Sequence, residues 1–404
     1  MRFPFAAASA LACVLGLARP AAAQDPASEA PPPASEAPPP PPSGDPDDAA
    51  EASDKLRAIG EPETDPSKHA YFPLNVSFLY PLATNMGDPN RATNIDVGVV
   101  YTKIGYLHGG VQLSTLSAIT QQMSGVQIGA VGAVSEGRTF GVQAAGAFAL
   151  VDAPFDGLQV AGLFSWGRFR FNGVQIGGLA TQARKHFAGL QISGGVNIAR
   201  KTVHGVQIGG LMNIGAVEGL QLAPVNISSE VKGVQIGLVN IARKVSGVQI
   251  GLVNIADELS GEAIGMASVP RAGGVHGVVW GSNSLYGNFG LKFASLYTYS
   301  MFSGSFHFEN EGKDKLLGPG FTFGIYRPVL FDGLYVQADV GGYRLFLLEG
   351  AQRAHDEIFK TRLIARYALV RHLSLFVGGG AFLGLRGDKP DMRWGPELDA
   401  GIEL

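Results

Sequence analysis

The feature that most constrains the fold is a short repeat. Ten units open with Gly, then Val or Leu, then Gln, and an eleventh copy, GEAIGMASV, starts at Gly261. Successive units are separated once by 15 residues, then five times by 16 and four times by 14. A fixed period of this kind indicates repeated structural units. The ten units open at Gly110, Gly125, Gly141, Gly157, Gly173, Gly189, Gly205, Gly219, Gly233 and Gly247.

Each unit has the pattern of β-structure. In GVQIGLVNIA, the triplets Val-Gln-Ile and Val-Asn-Ile alternate apolar and polar residues, and β-branched residues dominate. Gln and Asn are five positions apart, so a straight strand would place them on opposite faces. We predict a bulge or turn at Gly-Leu that returns both amides to one face. The segments between units, such as ARKVS and ADELS, carry charges and are predicted to be turns.

Two architectures satisfy this pattern. In the first, each unit is one strand of an antiparallel outer-membrane-type β-barrel, with Val, Ile and Leu facing lipid and the amides facing the lumen. In the second, each unit is one coil of a two-sided β-solenoid whose amides form outward ladders. The candidate lumen or ladder amides are Gln175, Gln191, Gln207, Gln221, Gln235, Gln249, Asn226, Asn240 and Asn254.

The flanking segments favour the barrel. Residues 67–109 and 271–404 contain period-two strands, and those after the repeats are rich in Tyr and Phe. In the last strand Leu398 and Ile402 alternate with Glu397, Asp399 and Glu403. We therefore predict an all-β fold in which the repeat array, 110–270, forms part of a barrel that 271–404 closes.

The first 66 residues differ from the rest. Residues 1–23 combine Arg2, an apolar core and an Ala-x-Ala site, which predicts a secretory signal peptide and an exported protein. Residues 24–66 hold eleven acidic residues against Lys55 and Arg57, a net charge of −9, and many prolines. This composition predicts a disordered linker and a candidate ligand for an envelope partner. Cys13, within the apolar core, is the chain's one cysteine.

The rest of the chain offers little that points to chemistry. Residues 67–404 hold 27 basic and 23 acidic residues, a net charge of +4 that argues against nucleic-acid binding. The histidines show no metal-ligand spacing, and no nucleophile, zinc-protease or phosphate-loop motif occurs. We predict no catalytic, cofactor or metal site and no enzymatic activity. Trp166, Trp280 and Trp394 are interpreted as an interfacial girdle or core.

The GVQIGLVNIA units resemble those of bacterial surface-repeat proteins of the leptospiral type. The resemblance covers about 105–270. It implies a location in the cell envelope or at the cell surface and implies no reaction. The prediction is a structural or pore-forming outer-membrane barrel whose partner is the lipid bilayer. The alternative is a surface-exposed solenoid that serves in interaction or adhesion.

Overall fold

A computed structural model describes residues 71–84, 91–271, 274–309, 314–329, 332–347, 355–370, 372–386 and 392–404. All of them belong to one compact unit, Ile59–Leu404. The predicted signal peptide, 1–23, and acidic linker, 24–66, lie outside the described residues. Within the described part of the chain, no helix has the length and apolar character needed to cross a membrane.

The first nineteen strands form one sheet, and about nine turns of a parallel β-solenoid occupy residues 122–270. The strands are β1 (Leu74–Leu79), β2 (Leu82–Ala83), β3 (Ala92–Ser135), β4 (Arg138–Ala145), β5 (Phe148–Val151), β6 (Phe155–Ala161), β7 (Phe164–Gly167), β8 (Phe171–Gly177), β9 (Ala180–Ala183), β10 (Phe187–Ser193), β11 (Val196–Ala199), β12 (Val203–Gly209), β13 (Met212–Ile214), β14 (Val217–Leu222), β15 (Val225–Val231), β16 (Val234–Ile236), β17 (Val239–Val245), β18 (Val248–Leu259) and β19 (Glu262–Pro270).

The repeats stack in parallel and in register. Gln191 of β10 pairs with Gln175 of β8 and with Gln207 of β12, and Asn240 of β17 pairs with Asn254 of β18. The interpretation of the repeats as antiparallel barrel strands is therefore wrong, and the solenoid alternative is the one observed. Coils of 16 and of 14 residues both stack in this way, and parallel stacking places the recurring Gln and Asn side chains of successive coils directly above one another.

The repeat glycines allow the coils to approach closely. At Gly189, φ is +132°, and a Cβ atom would lie 2.0 Å from the carbonyl oxygen of Gly173 in the preceding coil. A left-handed φ and a contact of this kind both require glycine. The column of glycines thus explains why each unit opens with this residue.

The last eight strands form a closed antiparallel barrel. They are β20 (Val275–Ser282), β21 (Gly287–Ala294), β22 (Thr298–Glu309), β23 (Asp314–Pro328), β24 (Leu334–Leu347), β25 (His355–Val370), β26 (Leu373–Arg386) and β27 (Met392–Glu403). β20 pairs with β27, so the sheet closes on itself. The prediction of an all-β fold is confirmed, and the barrel is built without the repeats.

Candidate functional site

A ladder of glutamine amides runs through the interior of the solenoid. Each Gln donates from Nε2 to Oε1 of the Gln in the preceding coil, at 2.6–2.9 Å, from Gln249 back to Gln112. All ten side chains are fully buried. Several amides also donate to the backbone of the opposite strand, as Gln175 does to Gln182. Ten polar groups are thus hydrogen-bonded away from solvent.

The two ends of the glutamine ladder differ. At the first end, Gln112 Nε2 donates to the carboxylate of the buried Asp96 at 2.8 Å. A carboxylate only accepts hydrogen bonds, so Asp96 sets the direction in which every amide points. At the other end, Gln249 Oε1 is buried without a hydrogen-bond partner, because the next coil has Ala263 at this position. The ladder therefore begins at a negative charge and ends at an orphan carbonyl oxygen.

Asp96 is itself enclosed by donors. The side chains of Asn75, Thr102 and Gln112 all donate to its carboxylate, at 2.5–2.8 Å. Burial raises the pKa of the Asp96 carboxyl, and these hydrogen bonds oppose the rise. The carboxylate therefore occupies a site that removes water but supplies polar partners.

An asparagine ladder runs the opposite way. Asn197, Asn213, Asn226 and Asn240 each donate from Nδ2 to Oδ1 of the Asn in the following coil, at 2.8–3.0 Å. Asn254 ends the ladder on Ser268 Oγ at 3.3 Å. Because the glutamine amides donate toward the first coil and the asparagine amides toward the last, the two rows of amide dipoles are antiparallel and oppose one another.

The amides predicted from sequence are therefore ladder residues, but they face inward. The turn at Gly-Leu does place both amides on one face, as predicted, and that face is the interior. The prediction of outward ladders is wrong, as is that of a water-filled lumen. The residues concerned, all at most 1% exposed, are Gln175, Gln191, Gln207, Gln221, Gln235, Gln249, Asn226, Asn240 and Asn254.

The outer surface of the solenoid is apolar on three sides. The Val and Ile residues that flank each amide point outward from the two sheets, and the edge at Gly-Leu exposes leucines. We call this edge the apolar edge; its residues are Leu163, Leu179, Leu211, Leu238 and Leu252, each 42–63% exposed. The interior of the solenoid also contains apolar side chains beside the amides, among them Phe171, Val203 and Val231, so aliphatic residues lie on both sides of its sheets.

The barrel also encloses polar side chains, and here they are charged and lie beside the apolar cluster of Trp280, Met301 and Leu345. Its interior holds four cations, Lys292, Lys360, Arg362 and Arg366, and four carboxylates, Asp339, Glu397, Asp399 and Glu403. Arg362 donates two hydrogen bonds to Asp339, at 2.9 and 2.8 Å. Lys360 binds Glu397 at 2.7 Å. The cations and carboxylates are equal in number, and Asp399, whose oxygens accept no hydrogen bond from the described residues, has the guanidinium of Arg362 at 3.8 Å.

The charged interior leaves little open space. The cavity between Lys292, Asp339, Arg362 and Glu403 has a volume of about 20 Å³. A cavity of this size holds roughly one water molecule. Trp280, only 2% exposed, and Tyr343 also fill the interior. The barrel interior is therefore packed rather than hollow.

The outer wall of the barrel carries the large apolar side chains. Leu363, at the middle of β25, is 61% exposed, and Trp394 on β27 is 80% exposed. Phe289, Phe302 and Phe346 line a groove on the same wall. Trp394 therefore lies on the outer surface, whereas Trp280 belongs to the core, and the interfacial girdle stays a prediction.

The solenoid packs on one side of this wall. The Glu262 carboxylate accepts hydrogen bonds from the Tyr297 amide, at 2.9 Å, and the Thr298 hydroxyl, at 2.7 Å. Ser300 Oγ donates to the carbonyl of Met266 at 2.6 Å. The last coil therefore lies against the start of β22.

Sequence reasoning missed Asp96 as a ladder terminus and most of the charged barrel interior. The sequence does indicate inward charges in the last strand. There Glu397, Asp399 and Glu403, which are buried, alternate with the exposed Leu398 and Ile402. Partners such as Lys360 and Arg362 come from β25, whose register on β26 the sequence alone does not fix. Among the described residues, no group of three or more His, Cys, Asp or Glu is placed to hold a metal ion.

Comparison with models of protein families, with curated proteins and with solved structures found no match for this chain. The resemblance of the repeats to leptospiral-type surface-repeat proteins stays a prediction.

Proposed function

We propose that this chain is a structural protein of the outer membrane, in which the eight-stranded barrel spans the bilayer and holds the solenoid against one membrane face. The observation that carries the proposal is the polarity of the barrel, with four cations and four carboxylates inside and Phe, Leu, Val and Trp outside. In water this arrangement would expose a broad apolar surface, whereas in hydrocarbon it is the favourable one.

The connections between strands support one orientation. At the barrel end that holds the solenoid, the connections between strands are three, five and two residues long; at the other end they are four, four, seven and five. Outer-membrane barrels have short periplasmic turns and longer external loops. In this proposal the solenoid lies on the periplasmic side, and a surface-exposed solenoid that serves in interaction or adhesion corresponds to the opposite orientation of the barrel.

A pore is the weaker functional candidate. Among the described residues, ion pairs fill much of the barrel interior, and the cavity between Lys292, Asp339, Arg362 and Glu403 has a volume of only about 20 Å³, which favours a closed interior. We expect no conductance steps in planar bilayers when folded protein is inserted. Stable ion-sized steps from folded protein would contradict the closed interior and restore the pore.

The spanning role is tested by placing arginine on the outer wall. Leu363→Arg introduces a charge at the middle of β25, where lipid would lower the stability by about 2–4 kcal/mol. The matched control is Val370→Arg, which alters an equally exposed apolar residue at the end of the same strand. Near the membrane surface, the loss of stability should be only about 0–1 kcal/mol. Urea titration in phospholipid vesicles measures both variants.

Equal and small costs at the two positions would mean that the wall faces water, and the proposal would fail. Migration on a gel with and without heating shows independently that the barrel of each variant has folded.

A further inference from the structure

We infer that the solenoid is itself embedded edge-on in one leaflet of the membrane, with its apolar edge among the acyl chains and its opposite edge on anionic headgroups. This inference takes its orientation from the proposed membrane-spanning barrel and adds a second lipid-binding surface. Three observations carry it: the distribution of charge, the width of the coil and the way in which the last coil contacts the barrel.

Charge is confined to one edge of the solenoid. Between residues 136 and 258, each of the ten Lys or Arg and seven Asp or Glu lies within the five positions that precede a repeat glycine. We call this side the charged edge. Over this range the ten residues that begin at each repeat glycine carry no charge. They form the apolar edge and the adjoining parts of both sheets, so an uncharged surface continues around the apolar edge, bordered by charged residues at strand ends such as Arg243 and Lys244 of β17.

The middle of the charged edge is basic. Residues 171–217 contain four cations and no acidic residue; we call Arg184, Lys185, Arg200 and Lys201 the basic cluster. Arg184 stacks over Trp166, its guanidinium carbon lying 5.3 Å from the ring centre. Burial, together with the neighbouring Arg200 and Arg168, lowers the pKa of Arg184. An excess of positive charge beside an apolar surface complements the phosphate groups of anionic lipids.

The width of the coil matches one leaflet. From Val206 to Leu211 the chain advances five residues, or about 17 Å at the rise of a β-strand. Half of the hydrocarbon core of a bilayer is about 15 Å thick. With the charged edge at the headgroups, Leu211 would therefore lie near the middle of the bilayer.

The contact with the barrel sets the same orientation. Glu262, at the charged-edge end of the last coil, binds the first residue of β22, Thr298. Met266 occupies the apolar-edge position of that coil, since it pairs in the repeat with Leu252, and it contacts Ser300 further along the barrel wall. The apolar edge therefore points from the barrel end toward its middle, and the next outward residue of β22 is Phe302.

The test uses fluorescent labels on single cysteines in the full chain, with Cys13→Ser removing the native thiol. An environment-sensitive nitrobenzoxadiazole label is placed at the apolar edge by Leu211→Cys or Leu238→Cys, and at the charged edge by Lys201→Cys. Leu363→Cys labels the barrel wall as reference. Each protein is folded into vesicles of phosphatidylcholine and phosphatidylglycerol, with bromine on the acyl chains or without it.

We expect acyl bromine to quench the labels at residues 211, 238 and 363 at least twofold more than the label at 201. Quenching at 363 without quenching at 211 and 238 would overturn the embedded solenoid and leave the barrel proposal intact. A label at 211 that is shielded from water yet not quenched would assign the apolar edge to a second copy of the chain, and would also overturn the inference. Loss of quenching at 363 would instead reject the spanning barrel.

Headgroup recognition is tested separately. Replacing Arg184, Lys185, Arg200 and Lys201 by Gln should at least halve the quenching at 211 in vesicles that contain phosphatidylglycerol, while quenching at 363 remains unchanged. The matched control replaces Arg243 and Lys244, which lie next to the acidic coil of Asp257 and Glu258, by Gln. Equal quenching at 211 in the unaltered chain, the basic-cluster variant and the control variant would show that the basic cluster does not bind anionic headgroups.

Discussion

At the level of single residues, the contribution of each recurring Gln or Asn to stability depends on how many ladder neighbours its amide has. A ladder amide in the middle both donates and accepts, whereas a terminal amide has one ladder partner. Gln191 lies between Gln175 and Gln207, while Gln249 reaches only Gln235. The same chemical change should therefore have different consequences at the two positions.

We predict that Gln191→Leu lowers the free energy of unfolding by about 2–5 kcal/mol, because it leaves Gln175 Oε1 and Gln207 Nε2 without their ladder partners in a buried site. Gln249→Leu should cost about 1–3 kcal/mol, since it strands one acceptor and removes an oxygen that already lacks a partner. Urea unfolding followed by circular dichroism in detergent measures both. A larger loss at 249 than at 191 would contradict the ladder.

Asp96 gives the glutamine ladder a dependence on pH. Its pKa is raised in the folded chain above the ordinary value of 3.8, so protonation stabilises the fold. The contribution is fully present below pH 3.8 and is lost as the pH rises through the folded-state pKa. We compare the free energy of unfolding of the native protein with that of Asp96→Asn. The difference in favour of the native protein should decrease as the pH rises from 3.8 through the pKa of Asp96 in the folded chain. A difference that grows with pH would show that the pKa is lowered instead.

At the scale of elements, the solenoid is built from nearly interchangeable coils. The ten residues that open at Gly233 and at Gly247 are identical, and each stacks on its neighbour through the same register. Stability in such an array is approximately a sum over coils and their contacts. Removal of one whole coil should therefore preserve the pattern, whereas removal of half a coil should not.

We predict that deletion of residues 233–246 leaves a folded solenoid, because Gln249 then stacks on Gln221 and Asn254 on Asn226. Deletion of residues 233–239 removes half of this coil. It should disrupt the array, because the amides of the following coils no longer lie above those of the preceding coils. Limited proteolysis distinguishes the two deletions, and heat-modifiable migration reports whether the barrel still forms. Equal protease resistance of both would argue against in-register stacking.

The extent of sequence prediction is clearest for these elements. The alternation in Val-Gln-Ile and the Gly-Leu turn identify strands and place Gln and Asn on one face. They do not say whether that face is inside, because an amide ladder satisfies its hydrogen bonds among its own members in either position. The aromatic strands after the repeats predict a barrel, and the structure places those strands alone in the barrel and the repeats in a separate parallel sheet.

At the scale of the whole molecule, both parts enclose polar groups beside apolar clusters and carry apolar side chains on their outer surfaces. The solenoid buries amides, and the barrel buries ion pairs such as Arg362 with Asp339. The alternation of Glu397, Leu398 and Asp399 predicts the two surfaces of the last strand from sequence. The pairing of inward charges could not be predicted, because it depends on which strands the closed barrel brings together.

The two barrel tryptophans distinguish an outer barrel surface that faces lipid from one that faces water. Trp394 lies on the outer wall, whereas Trp280 lies inside among Arg362 and Tyr343. Chains that keep one of them, with Trp166 and the other replaced by Phe, are folded into vesicles with brominated acyl chains. If the outer apolar surface of the barrel faces lipid, we expect strong quenching of Trp394 fluorescence and little quenching of Trp280 fluorescence. Unquenched emission from Trp394, at the wavelength of a water-exposed indole in a folded barrel, would contradict it.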